Sequence, residues 1–164
     1  MCHQDRALGI RSRQLDREVA SADGSIDQIA HLVDLGILDR PPSRRAPLVD
    51  PFGTADLDDR ARSYLDANCA HCHGAGGNAL DTGVLWDREH TGPGQLPLCR
   101  STSSIDGRDR VIVPGNPDRS EILARMLSSD PDVRMPRGPN HTADRAGVAV
   151  LTAWISAMTP QTCR

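Results

Sequence analysis

Lysine is absent from this 164-residue chain, and all 19 of its basic residues are arginine. That bias is what a GC-rich coding sequence produces, and it excludes no function. Charge of either sign is close to balanced, with a net charge of -3 and a pI near 6.0. The basic footprint needed to hold nucleic acid or an anionic membrane surface is therefore missing. Long apolar runs are missing too, so no stretch reads as a bilayer-spanning helix.

Aromatic residues are sparse: Phe52, Tyr64, Trp86 and Trp154 are the only four. Large aromatic side chains normally supply much of the area a core buries. A small domain without them invites another centre, such as a cofactor or cross-links, although Leu, Ile, Val and Ala could also suffice. There are five cysteines, at positions 2, 69, 72, 99 and 163, and the odd count leaves the redox compartment open.

Residues 1–52 read as an N-terminal helical segment followed by a proline-rich linker. In "GSIDQIAHLVDLGILD", Ser25 and Gln28 make a capping-box pattern, and Ile26, Ile29, Leu32, Val33 and Ile37 recur at helical spacing. "RPPSRRAPLVDPFG", residues 40–53, reads as an extended linker. A second domain is expected over 53–164. Leu57, Ala61, Tyr64, Leu65 and Asn68 mark a helix, with Asp56, Asp58 and Asp59 suited to its positive end. Residues 74–117 read mostly as loop around the apolar run "VIV" at 111–113. A third helix follows Asn116 as cap and Pro117 at its first position, with Ile122, Leu123, Met126 and Leu127 as its apolar face. A fourth starts at the cap Thr142 and carries Gly147, Leu151, Trp154 and Met158 along one stripe. No pattern supports a sheet, so the expected fold class is all-α with long loops.

The chemistry concentrates in "NCAHCHGAGG", residues 68–77. Cys69, Cys72 and His73 form C-x-x-C-H, the attachment sequence for c-type haem. Two thiols three residues apart on a helical turn can reach the two vinyl groups on one porphyrin edge. The histidine after the second thiol then offers Nε2 to the iron, provided an acceptor such as a backbone carbonyl orients its other ring nitrogen. Two alternatives compete. A zinc site needs four convergent donors, but Cys72 and His73 are adjacent, and Cys99, His90 and His141 are scattered. A redox dithiol calls for a βαβ setting that these helical patterns do not supply. His71 reads as a solvent-facing spacer.

For the opposite face of an iron, Met126 and Met158 sit on apolar stripes where core packing is the default. Met135 lies in the loop "DVRMPRGPN", where Pro136 stiffens the backbone, and is the expected distal ligand. His141 and an open site are the alternatives. A thioether ligand favours ferrous iron and raises the reduction potential, which suits electron transfer.

Helix, C-x-x-C-H, long loop, short helix, Met-Pro loop and C-terminal helix together resemble the monohaem class I cytochrome c domain. The likeness covers residues 53–164. "VPGNPDRSEIL" (113–123) and "DPDVRMP" (130–136) are similar to segments of bacterial haem-c modules, found in planctomycete-type cytochromes and appended to sugar-dehydrogenase-like propellers. The resemblance implies a cytochrome c-like fold of about four helices, in which the first and last cross, bringing the Leu57–Leu65 face near Gly147–Trp154. It implies one haem c per chain, with Cys69 and Cys72 as thioether anchors, His73 as proximal ligand and Met135 as distal ligand.

Because haem c is attached after export, a periplasmic or otherwise exported protein is expected. An exported domain permits disulfides, so Cys99 and Cys163, the two cysteines left outside the motifs, are expected to pair. The chain opens "MCHQ", which would complete a second C-x-M-C-H if the residues before it were C-x. It is therefore expected to be a fragment of a longer, exported protein; whether that protein is dihaem, with a first haem site at Cys2 and His3, is left open, because one thiol is missing from the sequence. The segment 1–52 would then be the remnant of a preceding haem domain. No nucleophile–base or carboxylate pair stands on a recognisable scaffold, so an electron carrier is expected rather than an enzyme. Its partner would be a redox protein such as a dehydrogenase or a terminal oxidase or reductase. The other functional readings are the electron-accepting domain of a periplasmic dehydrogenase complex, and a ligand-binding or peroxidase-like haem.

Overall fold

The structure is a computed structural model that describes residues 10–43, 46–90, 94–137 and 142–163. The chain divides into two compact units between Val49 and Asp50. The first unit contains α1 (Ser12–Leu15), β1 (Glu18–Ser21), β2 (Gly24–Asp27) and α2 (Gln28–Asp34). Strands β1 and β2 pair as an antiparallel hairpin with Val19 opposite Ile26. This overturns the helix expected from Ser25. The Ser25 hydroxyl donates across the hairpin to Glu18 Oε2 at 2.8 Å instead of capping a helix. The cap is Asp27, whose Oδ1 accepts from the Ala30 amide at 3.0 Å. Ile26 consequently belongs to a strand, where β-branched cross-strand pairs pack well, and Ile37 is 65 % exposed.

The second unit holds α3 (Leu57–Asn68), β3 (Ser101–Ile105), β4 (Arg108–Arg110), α4 (Glu121–Leu127) and α5 (Arg145–Ala157). Short 3₁₀ turns at Leu80–Thr82, Arg88–His90 and Pro117–Arg119 interrupt the connections. Strands β3 and β4 form a second antiparallel hairpin. The expected all-α fold is thus corrected to a mixed α/β one, with helices joined by two hairpins. The sequence "STSSI" of β3 has little apolar alternation, so hydrophobic period says nothing about it. Its signal lies in the turn, where Asp106 and Gly107 both adopt positive φ, at 50° and 77°, as a tight two-residue hairpin turn requires.

Two caps also differ from expectation. Pro117 opens a 3₁₀ turn, and α4 begins only after Ser120. The Ser120 hydroxyl is engaged with Asn116 O and the Val113 amide, both at 2.9 Å, which holds the backbone extended at that point. Leu127, placed by periodicity on the buried face, is 49 % exposed. Helix α5 is capped by Asp144 rather than Thr142, with Asp144 Oδ1 accepting from the Gly147 amide at 3.0 Å.

Helices α3 and α5 pack against each other, as the resemblance implied. Two long-range hydrogen bonds hold the pair: Tyr64 Oη donates to Asp144 Oδ2 at 2.9 Å, and Trp154 Nε1 donates to Asp58 Oδ1 at 2.8 Å. Burial, and then the Asp144 carboxylate, push the Tyr64 phenol far above its ordinary value, so it remains a donor. Partial burial pushes Asp58 upward, but hydrogen bonds from Arg62 and Trp154 outweigh it and hold the carboxyl below 3.8. Gly147 is what lets the helices approach, because a Cβ there would stand 2.1 Å from Tyr64 Cζ. Gly147→Val is expected to cost about 1–3 kcal/mol, the usual penalty for overpacking a filled contact. A lowered urea midpoint at unchanged slope would register it, and an unchanged midpoint would mean that the contact is loose.

The core runs from α3 through α5 to the "VIV" segment, with Leu65, Ile112, Leu151 and Ile155 fully buried. The segment around Cys99 pairs with this run: Cys99 N donates to Ile112 O at 2.8 Å and Val111 N to Arg100 O at 2.9 Å. Cys99 and Cys163 form a disulfide, with their Cα atoms 5.1 Å apart.

Candidate functional site

Helix α3 ends inside the cysteine motif. The Cys69 amide donates to Leu65 O at 2.9 Å as the helix closes, and the Cys72 and His73 amides both donate to Cys69 O, at 3.1 and 2.9 Å. Cys69 and Cys72 therefore stand three residues apart on a continuing helical turn, and neither is in a disulfide. Beyond the motif the chain doubles back, with the Ala79 amide donating to Cys72 O at 3.1 Å. Glycine is required on the way, since a Cβ at Gly77 would meet Cys72 O at 2.1 Å.

The returning segment orients the histidine. Trp86 N donates to His73 O at 2.7 Å, and His73 Nδ1 lies 3.2 Å from Val84 O. A carbonyl oxygen only accepts, so this contact assigns the proton to Nδ1 and leaves the Nε2 lone pair free. Burial holds the His73 ring below 6.5, against the opposing pull of the Val84 carbonyl. A neutral imidazole with its second nitrogen fixed is the form that ligates a metal.

Met135 comes from the loop that follows α4. Its amide donates to Arg125 O at 3.0 Å, and the bond to Pro136 is a cis peptide. Cys69, Cys72, His73 and Met135 all line one cavity of about 450 Å³, within the ~300–1,000 Å³ range typical of ligand and cofactor pockets. Val84, Trp86, Val111 and Ile122 give it apolar walls. This donor set fits a haem c: two thiols on one turn, one imidazole with a free Nε2, and a thioether from a separate loop.

Other residues fall differently from expectation. His71 is partly buried and lines the cavity rather than facing solvent. Met126 joins the core, as its stripe suggested, yet also lines the cavity, whereas Met158 packs against the core only. His141, Cys2 and His3 lie outside the described residues. Sequence reasoning missed Glu121 and Arg125, which are cavity residues, and the Val84 carbonyl. Their i, i+4 spacing was the only signal for the first two, and a backbone acceptor carries none.

The competing chemistries fare worse. Among the described residues no three His, Cys, Asp or Glu side chains converge as a metal site, whereas structural zinc needs four donors. Although Cys69 keeps some exposure as a residue, burial of its thiol, with Cys72 beside it, pushes it up to about 12. A redox dithiol works through a lowered thiol, the opposite shift. Comparison with known proteins found no matching family model, no similar curated protein and no similar solved structure, so the functional reading rests on the residues of this site.

Proposed function

We propose that residues 50–164 form an electron-transfer module that carries one haem c, in the manner of the class I c-type cytochrome domains its motifs resemble. Cys69 and Cys72 would hold the porphyrin covalently, and His73 through Nε2 and Met135 through its thioether would hold the iron. The iron of the bound group supplies a one-electron change of oxidation state. The chain's own residues do the rest. Val84 O fixes the His73 tautomer, Gly77 lets the loop close against Cys72, and Val84, Trp86, Val111 and Ile122 exclude water from the cavity. The observation that carries this reading is the sharing of one cavity by Cys69, Cys72, His73 and Met135, drawn from two distant sequence segments.

Electron transfer asks for nothing beyond ligation, burial and an accessible edge, and the partner would be another redox protein such as a dehydrogenase or terminal oxidase. Export is part of the proposal, because attachment of haem c follows it, and a disulfide between Cys99 and Cys163 suits an oxidising compartment. No described helix is long and apolar enough to cross a membrane. The test is the absorption spectrum of the ferric protein, produced with an export leader and the haem c maturation apparatus. The weak near-red band of iron–methionine ligation is expected, and is expected to vanish in Met135→Ala while the pigment stays attached. A high-spin spectrum in the unmodified chain would instead favour the ligand-binding or peroxidase-like reading.

A further inference from the structure

Arg125 is tied to three elements at once. Its Nε donates to Glu121 Oε1 one turn back on α4, and its Nη2 donates to Ser103 Oγ on β3 at 3.0 Å. Its Nη1 donates to Val133 O at 3.1 Å, while its own carbonyl accepts from the Met135 amide at 3.0 Å. The last two contacts grip the Met-Pro loop on both sides of Arg134. Glu121 is 1 % exposed, and Thr102 Oγ1 donates to the same Oε1 at 3.2 Å. A buried carboxylate is tolerated only when paired, so the Glu121–Arg125 contact fixes the direction of the guanidinium fork.

The geometry points to Arg125 as a positioning residue for the axial methionine, with Glu121 and Ser103 setting its fork so that the Met135 backbone is held from α4 and β3 together. This rests on Met135 being the distal ligand. A thioether is a weak iron ligand, and whether it stays bound depends on where the loop places its Cα. A loop held only by its own turn would let Met135 leave whenever a competing ligand arrived. The second hairpin thereby acquires a role: through Ser103 it braces the loop that carries the ligand.

Three readouts test this on the haem-loaded chain: exchange of the Met135 amide, affinity of the ferric protein for imidazole, and the near-red band. In Arg125→Gln the Met135 amide is expected to exchange at least tenfold faster. Imidazole is expected to bind at least tenfold tighter, equivalent to about 1.4 kcal/mol, and the band to weaken. Ser103→Ala, which removes one partner at an exposed position, is expected to move all three in the same direction by less. Arg125→Lys is expected to fall between wild type and Gln, since a single ammonium cannot reproduce the planar fork. A folded Arg125→Gln with unchanged amide exchange and unchanged imidazole affinity overturns the proposal. Should that variant not fold, unchanged values in both Ser103→Ala and Glu121→Gln overturn it equally. A wild-type spectrum without the band overturns Met135 ligation itself, whereas the amide exchange still reports whether Arg125 holds the loop.

Discussion

Replacing Cys69 and Cys72 together by alanine is expected to leave the chain with no pigment that survives extraction into acidified organic solvent, whereas all the pigment of the parent chain should stay with the protein. The two sulfurs lie three residues apart on the turn that ends α3, and both face the cavity that His73 and Met135 also line. No other cysteine outside a disulfide is found among the described residues, so nothing there can replace them. Retained pigment in the double variant, or extractable pigment in the parent, would sink the covalent assignment.

The second large effect is expected at the disulfide. Cys99 and Cys163 are separated by 64 residues, and in the chain-entropy model closing a loop of that size is worth about 4 kcal/mol. Total stabilities of domains run to only about 5–15 kcal/mol, so losing the bridge removes a large share. The Cys99→Ser, Cys163→Ser variant should unfold on the order of 15 °C lower, given typical unfolding entropies for a unit of this size. The position of the bridge supports a loss of this size. The segment around Cys99 is hydrogen-bonded to Val111 and Ile112, which lie in the core. Cys163 lies in the tail just beyond α5, so the bridge ties the end of the chain to the strip beside the cavity. A calorimetric comparison of the two proteins decides the matter, and a shift of only a few degrees would mean that the tail contributes little. Alkylation of the unreduced parent should find neither cysteine reactive.

Sequence alone determined the parts whose signals are local. Helix α3 was legible because its apolar spacing, its acidic first turn and the cysteine motif run together without interruption. That Cys69, Cys72 and His73 share one turn was legible because their spacing is that of a helix. Met135 was singled out because a methionine between charged and proline residues makes poor core, and it lines the same cavity as the motif. The gaps were equally physical. The β3–β4 hairpin went unseen because its strands are polar and its only strong cue was the Asp106-Gly107 turn. The β1–β2 hairpin was mistaken for the start of a helix because Ser25 can cap a helix or bond across a ladder, and only Glu18 on the facing strand selects between the two. Asp144 displaced Thr142 as the cap of α5 because the same carboxylate also receives Tyr64.

What tertiary structure decided was which distant groups meet. That Val84 O sets the tautomer of His73, that Met135 shares a cavity with residues 69–73, and that Arg125 ties α4, β3 and the Met-Pro loop together all depend on contacts across many residues of sequence. Side-chain type and spacing encode what a residue can bond to. Which partner it finds is settled only when the core closes, because burial makes every unpaired polar group costly and so selects among the partners that the sequence leaves open.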